Sequence, residues 1–116
     1  MGQLTTHILD TAQGKPAANV RIELFAMDGT PVRLIDTRTN RDGRCDSPLL
    51  AGGALKPGRY QLVFHVGEYF VAQGLPVSDP PFIDQVPLAF GVADAQAHYH
   101  VPLLVSPWSY STYRGS

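Results

Sequence analysis

The sequence predicts an all-β fold, an antiparallel β-sandwich of seven to eight short strands with one small helix. Three observations lead there. Apolar residues recur at every second position rather than every third or fourth. The runs are cut short by Gly, Pro, Asn and Asp, and a single window reads as a helix. A chain of 116 residues is near the size of one domain, and folding at this length removes roughly two-thirds of its surface from water. Residues 1–116 are therefore expected to form one sandwich domain, with no linker or repeat dividing them.

The first strand is expected at Gln3–Asp10, where Leu4, Thr6 and Ile8 alternate with Thr5, His7 and Leu9 ahead of the turn-forming DTAQGKPA. Residues 20–26 make the second, with Val20, Ile22 and Leu24 on one face. Asp28-Gly29 is a hairpin signal into a third strand at 31–38. After TNRDGR, whose Gly43 is free to take positive φ, a short strand is expected at 45–49. Residues 60–66 place Leu62, Phe64 and Val66 on one face. Residues 68–73, bounded by Gly67 and Gly74, read as the helix, too short to persist without packing. The prolines of LPVSDPPFIDQVP mark a loop, after which 86–93, His98–Val105 and 108–113 complete the set.

Composition excludes several function classes. Formal net charge is −1 and no two basic residues are adjacent, so the positive footprint of a nucleic-acid binder is missing. No apolar run approaches the roughly 20 residues that cross a bilayer, and the start shows no basic-then-apolar leader; a soluble cytoplasmic protein is expected. Cys45 is the only cysteine. It rules out an intrachain disulfide, fits a reducing compartment, and is expected as a small hydrophobe rather than a nucleophile. Charged residues are sparse at 16%, against about 25% in average soluble domains, which leaves surface for a subunit interface.

Strand parity then sorts the histidines. In HYHVPLLV, Tyr99, Val101, Leu103 and Val105 form an unbroken apolar face and belong to the core. His98, His100, Pro102 and Leu104 look outward on a half-apolar face. His7 stands outward with Thr5 and Leu9 by the same test. One imidazole on a strand face is an ordinary surface feature; two on one face, about 7 Å apart, can share a ligand. His65 has core-like neighbours and reads as structural. Arg44, closing a polar turn, reads on spacing alone as a solvated charge. Tyr113 shares parity with Ser109 and Ser111 at the head of the tail YRGS.

The stretches LTTHILDTAQGKPA, TNRDGR and HYHVPLLVSPWSYSTYRGS, which between them reach both ends of the chain, resemble the transthyretin-like enzymes that hydrolyse 5-hydroxyisourate. The final YRGS is the most specific part, since it separates these enzymes from transthyretin, the carrier of the same fold. Trp108 stands where the family more usually has tyrosine. The resemblance implies a transthyretin-like sandwich assembled as a homotetramer, a dimer of dimers, acting on a small purine-derived substrate in a channel between dimers. It implies catalytic roles for His7, Arg44, His100 and Ser116, and substrate contacts from His7, Arg44, His98 and Tyr113. No metal ion and no cofactor is implied. A carrier binding a flat aromatic ligand in the same channel is the alternative, distinguished because a carrier needs no base.

Overall fold

The computed structural model describes residues 1–115. In chain order its elements are β1 (Gln3–Asp10), β2 (Lys15–Pro16), β3 (Arg21–Ala26), β4 (Val32–Arg38), β5 (Leu50–Ala51), β6 (Gly58–Phe64), α1 (Val66–Ala72), β7 (Val86–Val92), β8 (His98–Val105) and β9 (Tyr110–Thr112), with one 3-10 turn at Gly52–Ala54. One sheet has the order β2-β1-β8-β9, with β5 also paired to β1. The other has the order β4-β3-β6-β7.

The core lies between the sheets and follows the period-2 alternation. Leu4 and Ile8 of β1 and Leu103 and Val105 of β8 meet Ile22 and Leu24 of β3 and Leu62 and Phe64 of β6, all with no exposed surface. Burying each of these aliphatic or aromatic side chains contributes about 1.5–3 kcal/mol before the cost of ordering the chain. The residues between them point away from the core, which leaves Thr5, His7, His98 and His100 on the outer surface of the first sheet.

The sandwich is antiparallel as expected except where β1 meets β8. These two run parallel, in register from Gln3↔His98 to Asp10↔Val105. Hairpin partners are antiparallel because a short turn reverses the chain, whereas strands joined through a whole second sheet can meet in either direction.

Several boundaries also move: the strand expected at 60–66 runs Gly58–Phe64, and Lys15–Pro16 of the expected turn pairs with β1. Residues 45–49 form no strand: Leu49 donates its N–H to the Leu4 carbonyl at 2.8 Å, and the paired stretch is Leu50–Ala51. Pro48, which has no N–H to give, interrupts any ladder there. The helix begins two residues before the expected start, because Val66 and Gly67 are buried in its first turn. The last strand shrinks to Tyr110–Thr112. His65, just ahead of α1, places Nε2 2.7 Å from Glu23 Oε1. That bond, joined by Arg33 and Arg21, holds the Glu23 carboxyl below the usual range and gives His65 the structural role expected of it.

Asp10 ends β1 facing inward and is 1% exposed. Its carboxylate accepts from Gln13 N–H at 3.0 Å, from Gln13 Nε2 at 2.8 Å and from the Tyr69 hydroxyl at 2.8 Å. Burial and this bond push the Tyr69 phenol up, so it stays a donor and ties α1 to the first sheet. Replacing Tyr69 by Phe is expected to cost about 1.5–3 kcal/mol, the net worth of one hydrogen bond to a charged acceptor. Urea unfolding checks it: the midpoint should fall with an unchanged slope, and an unmoved midpoint would show the bond contributes nothing.

Candidate active site

The site is assembled on the outer face of β1 and β8. His7 lies opposite Pro102 in the parallel register, Thr5 opposite His100, and Gln3 opposite His98. The TNRDGR turn then brings a guanidinium to this face. Asn40 organises the turn, its Oδ1 accepting from Asp42 N–H at 2.9 Å and Arg44 N–H at 3.3 Å. Gly43 closes the turn at φ +74°, where a Cβ would lie 2.5 Å from the Ile8 carbonyl oxygen. Only glycine allows that approach. Through it Gly43 accepts from Ile8 N–H at 2.9 Å, and Arg44 bridges to His7.

Arg44, His98 and His100 line one cavity of about 360 Å³ with Thr5, Cys45 and Asp46. His7 is not among its lining residues but stands next to Arg44 and interacts electrostatically with His100. The structure thus brings His7, Arg44, His98 and His100 together. It takes Tyr113 elsewhere: Tyr113 and Arg114 line a second cavity of about 380 Å³ with Leu88, Phe90, Tyr99 and Val101. Ser116 lies outside the described residues. Cys45 is partly buried and its thiol is pushed up by that burial and by Asp46, as befits a packing residue rather than a nucleophile.

The tail reaches the histidines by its backbone. Gly115 N–H donates to the His100 carbonyl at 2.7 Å, and a Cβ on Gly115 would sit 2.7 Å from His100 Cδ2. Arg114 lies 4.2 Å over the Tyr99 ring, a cation–π contact. One feature escaped the sequence reading: the Thr5 hydroxyl, 2.8 Å from His100 Nδ1 and 2.9 Å from His98 Nε2. Strand parity had already put Thr5 beside His7. What it lacked was the identity of the neighbouring strand.

Two imidazoles are kept neutral here. Burial, then the charge of Arg44, lowers His7 from its ordinary value of 6.5, against the opposing pull of Asp42. Burial, then Arg44, His7 and His98, lowers His100. Both rings are therefore uncharged at neutral pH, each with one unprotonated nitrogen available as a base beside a permanent cation.

A model of the HIUase/Transthyretin family matches residues 4–115. The chain belongs to this family. A 5-hydroxyisourate hydrolase of Ralstonia nicotianae is 61% identical, covering 100% of both chains. Among solved structures, (S)-allantoin synthase superposes with a TM-score of 0.95 at 47% identity over 99% of this chain, which spans 44% of that longer one. Transthyretin from Sparus aurata superposes at 0.86 with 27% identity, over 97% of this chain and 96% of its own. The two-sheet architecture is thus the transthyretin-like sandwich. Among the described residues no helix is long and apolar enough to cross a membrane.

A histidine whose folded pKa sits below its unfolded one contributes stability that is fully present above the unfolded value and is lost as pH falls through the folded value. Replacing Arg44 by Met should move the His7 and His100 titrations up toward 6.5 without reaching it, because burial remains. Ring-proton NMR titration measures both, and unmoved titrations would show that Arg44 does not act on them.

Proposed function

We propose that this chain is a 5-hydroxyisourate hydrolase whose reaction is carried by His7, Arg44 and His100. One observation carries the reading: two imidazoles held neutral beside a guanidinium, in a chain 61% identical over its whole length to a 5-hydroxyisourate hydrolase. A carrier requires shape and polarity complementarity but no base, so the carrier alternative leaves the neutral histidines beside Arg44 without a purpose.

The chemistry follows from the groups. The substrate is a flat, polar purine derivative whose six-membered ring contains an amide-type carbonyl. One imidazole takes a proton from water as the oxygen attacks that carbonyl. The tetrahedral oxyanion is stabilised by the fork of Arg44 donors, which a lysine could not supply in bidentate form. Collapse breaks the C–N bond, the departing nitrogen takes back the proton, and the ring opens. The product is 5-hydroxy-2-oxo-4-ureido-2,5-dihydro-1H-imidazole-5-carboxylate, in the degradation of urate to allantoin. His98 contacts substrate at the cavity, and no residue in the scheme calls for a metal or cofactor.

On this reading residues 1–116 are one cytoplasmic domain that works as a homotetramer, a dimer of dimers. The exposed apolar surface supports it: Phe82 is 76% and Trp108 62% exposed, and Tyr110 and Tyr113 lie nearby in sequence along the tail. Monomeric proteins seldom leave such groups uncovered together. The outer face of the first sheet adds half-buried Leu9 and Leu104 beside the imidazoles. Tyr113 and Ser116 join the substrate site in the assembled tetramer.

General base catalysis is worth about 10²- to 10⁴-fold. His7→Asn and His100→Asn should each cut turnover of freshly generated 5-hydroxyisourate at least ten-fold by that principle, with the tetramer intact by sedimentation. An unchanged rate, followed by ultraviolet decay, removes that residue from the mechanism. Deleting residues 113–116 should abolish hydrolysis while leaving the far-ultraviolet circular dichroism of the sandwich in place, and full activity in the truncated chain would reject the tail's role.

A further inference from the structure

The Thr5 hydroxyl touches both histidines of HYH. Its Oγ1 is 2.8 Å from His100 Nδ1 and 2.9 Å from His98 Nε2. A threonine hydroxyl has one proton and two lone pairs, and each nitrogen of a neutral imidazole is either a donor or an acceptor. Both contacts are satisfied when both ring nitrogens donate to the oxygen, or when one donates and the hydroxyl donates to the other, but not when both nitrogens are acceptors. The two rings therefore cannot choose their tautomers independently.

Gln3 sets the direction. Its Nε2 approaches the same His98 Nε2 at 3.5 Å, and an amide N–H meets that nitrogen favourably only where a lone pair is present. With His98 Nε2 an acceptor, Thr5 donates to it and accepts in turn from His100 Nδ1–H. Neutral His100 then carries its proton on Nδ1 and its lone pair on Nε2. The neutral ring alone would favour the opposite arrangement.

We propose that Thr5 is a positioning residue for the hydrolysis: by bridging the two imidazoles it holds His100 in the Nδ1–H tautomer and makes Nε2 the nitrogen that takes the proton from water. The inference rests on the hydrolase reading and chooses His100 as the base where that reading leaves two histidines open. Gly115 supports it from the opposite edge of the ring, since its missing Cβ lets the tail lie against Cδ2. The groups whose charge acts on His100 are His98 on its own strand, His7 on β1 and Arg44 from the turn. Arg114 of the tail sits close by, its Nη2 3.4 Å from the His98 carbonyl. None of the four is a carboxylate that could hold the ring in its place.

The test uses the full chain with ¹⁵N-labelled histidine, His100 being assigned by its loss in His100→Gln. Long-range ¹H–¹⁵N spectra above the histidine titration range should show His100 protonated at Nδ1. Protonation at Nε2 overturns the proposal whether or not substrate is turned over. Thr5→Val keeps the shape and removes the hydroxyl. It should move His100 to the Nε2–H form and lower kcat at least about ten-fold with little change in KM, a loss within the range of general base catalysis. Thr5→Ser should restore both. Wild-type kcat in Thr5→Val, or equal losses in the Ser and Val variants, refutes the role. Should Thr5→Val fail to fold, the wild-type spectrum and the Ser variant decide. A wild-type protein that leaves 5-hydroxyisourate untouched defeats the hydrolase reading instead, and the spectrum still reports the tautomer.

Discussion

The parallel pairing of β1 with β8 is the constraint on which the site depends. Eight consecutive residue pairs hold the register, and the buried side chains on both strands lock it, because a slip by one residue would turn every core group outward. That register sets Thr5 beside His100 and His7 two positions further along. It also gives the turn before Arg44 a fixed edge on which to dock. The geometry of the imidazoles is thus inherited from hydrophobic packing on the other side of the same sheet.

The electrostatics follow from what that face lacks. Among the described residues lining the cavity, Asp46 is the only carboxylate, and its Oδ1 is engaged by Asn40 Nδ2 at 3.0 Å. Arg44 meets imidazoles rather than acids, so its charge disfavours a second positive charge instead of being neutralised. On the outer face of the second sheet the chemistry is reversed: Arg21, Arg33, Glu23, Asp36 and His65 pair off in a balanced network. Histidine is a structural partner on one sheet and is kept neutral on the other, and the difference lies in whether a carboxylate is within hydrogen-bonding reach.

Parity made much of this legible before any coordinates. Which face each histidine occupies, the core positions of Ile22, Leu62 and Leu103, and the hairpin after Asp28-Gly29 follow from alternation and turn chemistry alone. Strand partnership did not. Nothing local in residues 3–10 records that residues 98–105 lie alongside, so the Thr5 bridge stayed hidden although Thr5 was already on the correct face. The stretch at 45–49 misled because its backbone is satisfied singly by β1 rather than in a ladder. Arg44 is the exposed turn charge that spacing suggests; its place beside His7 comes from Gly43 pressing against Ile8, a contact that depends on the fold and has no signature in spacing. The functional weight of the tail came from family resemblance, since no periodicity assigns chemistry to a terminus.

Strand β8 serves two masters with alternate letters: its odd-numbered residues from Tyr99 to Val105 are buried, and its even-numbered members include the imidazoles. A strand of that kind can exchange either set independently, so the outward letters are open to redrafting into a different recognition surface while the interior is left as it was. It cannot change its count. One residue gained or lost within it would trade the two alphabets, burying imidazole and stranding leucine, so drift along this segment is confined to spelling and barred from length.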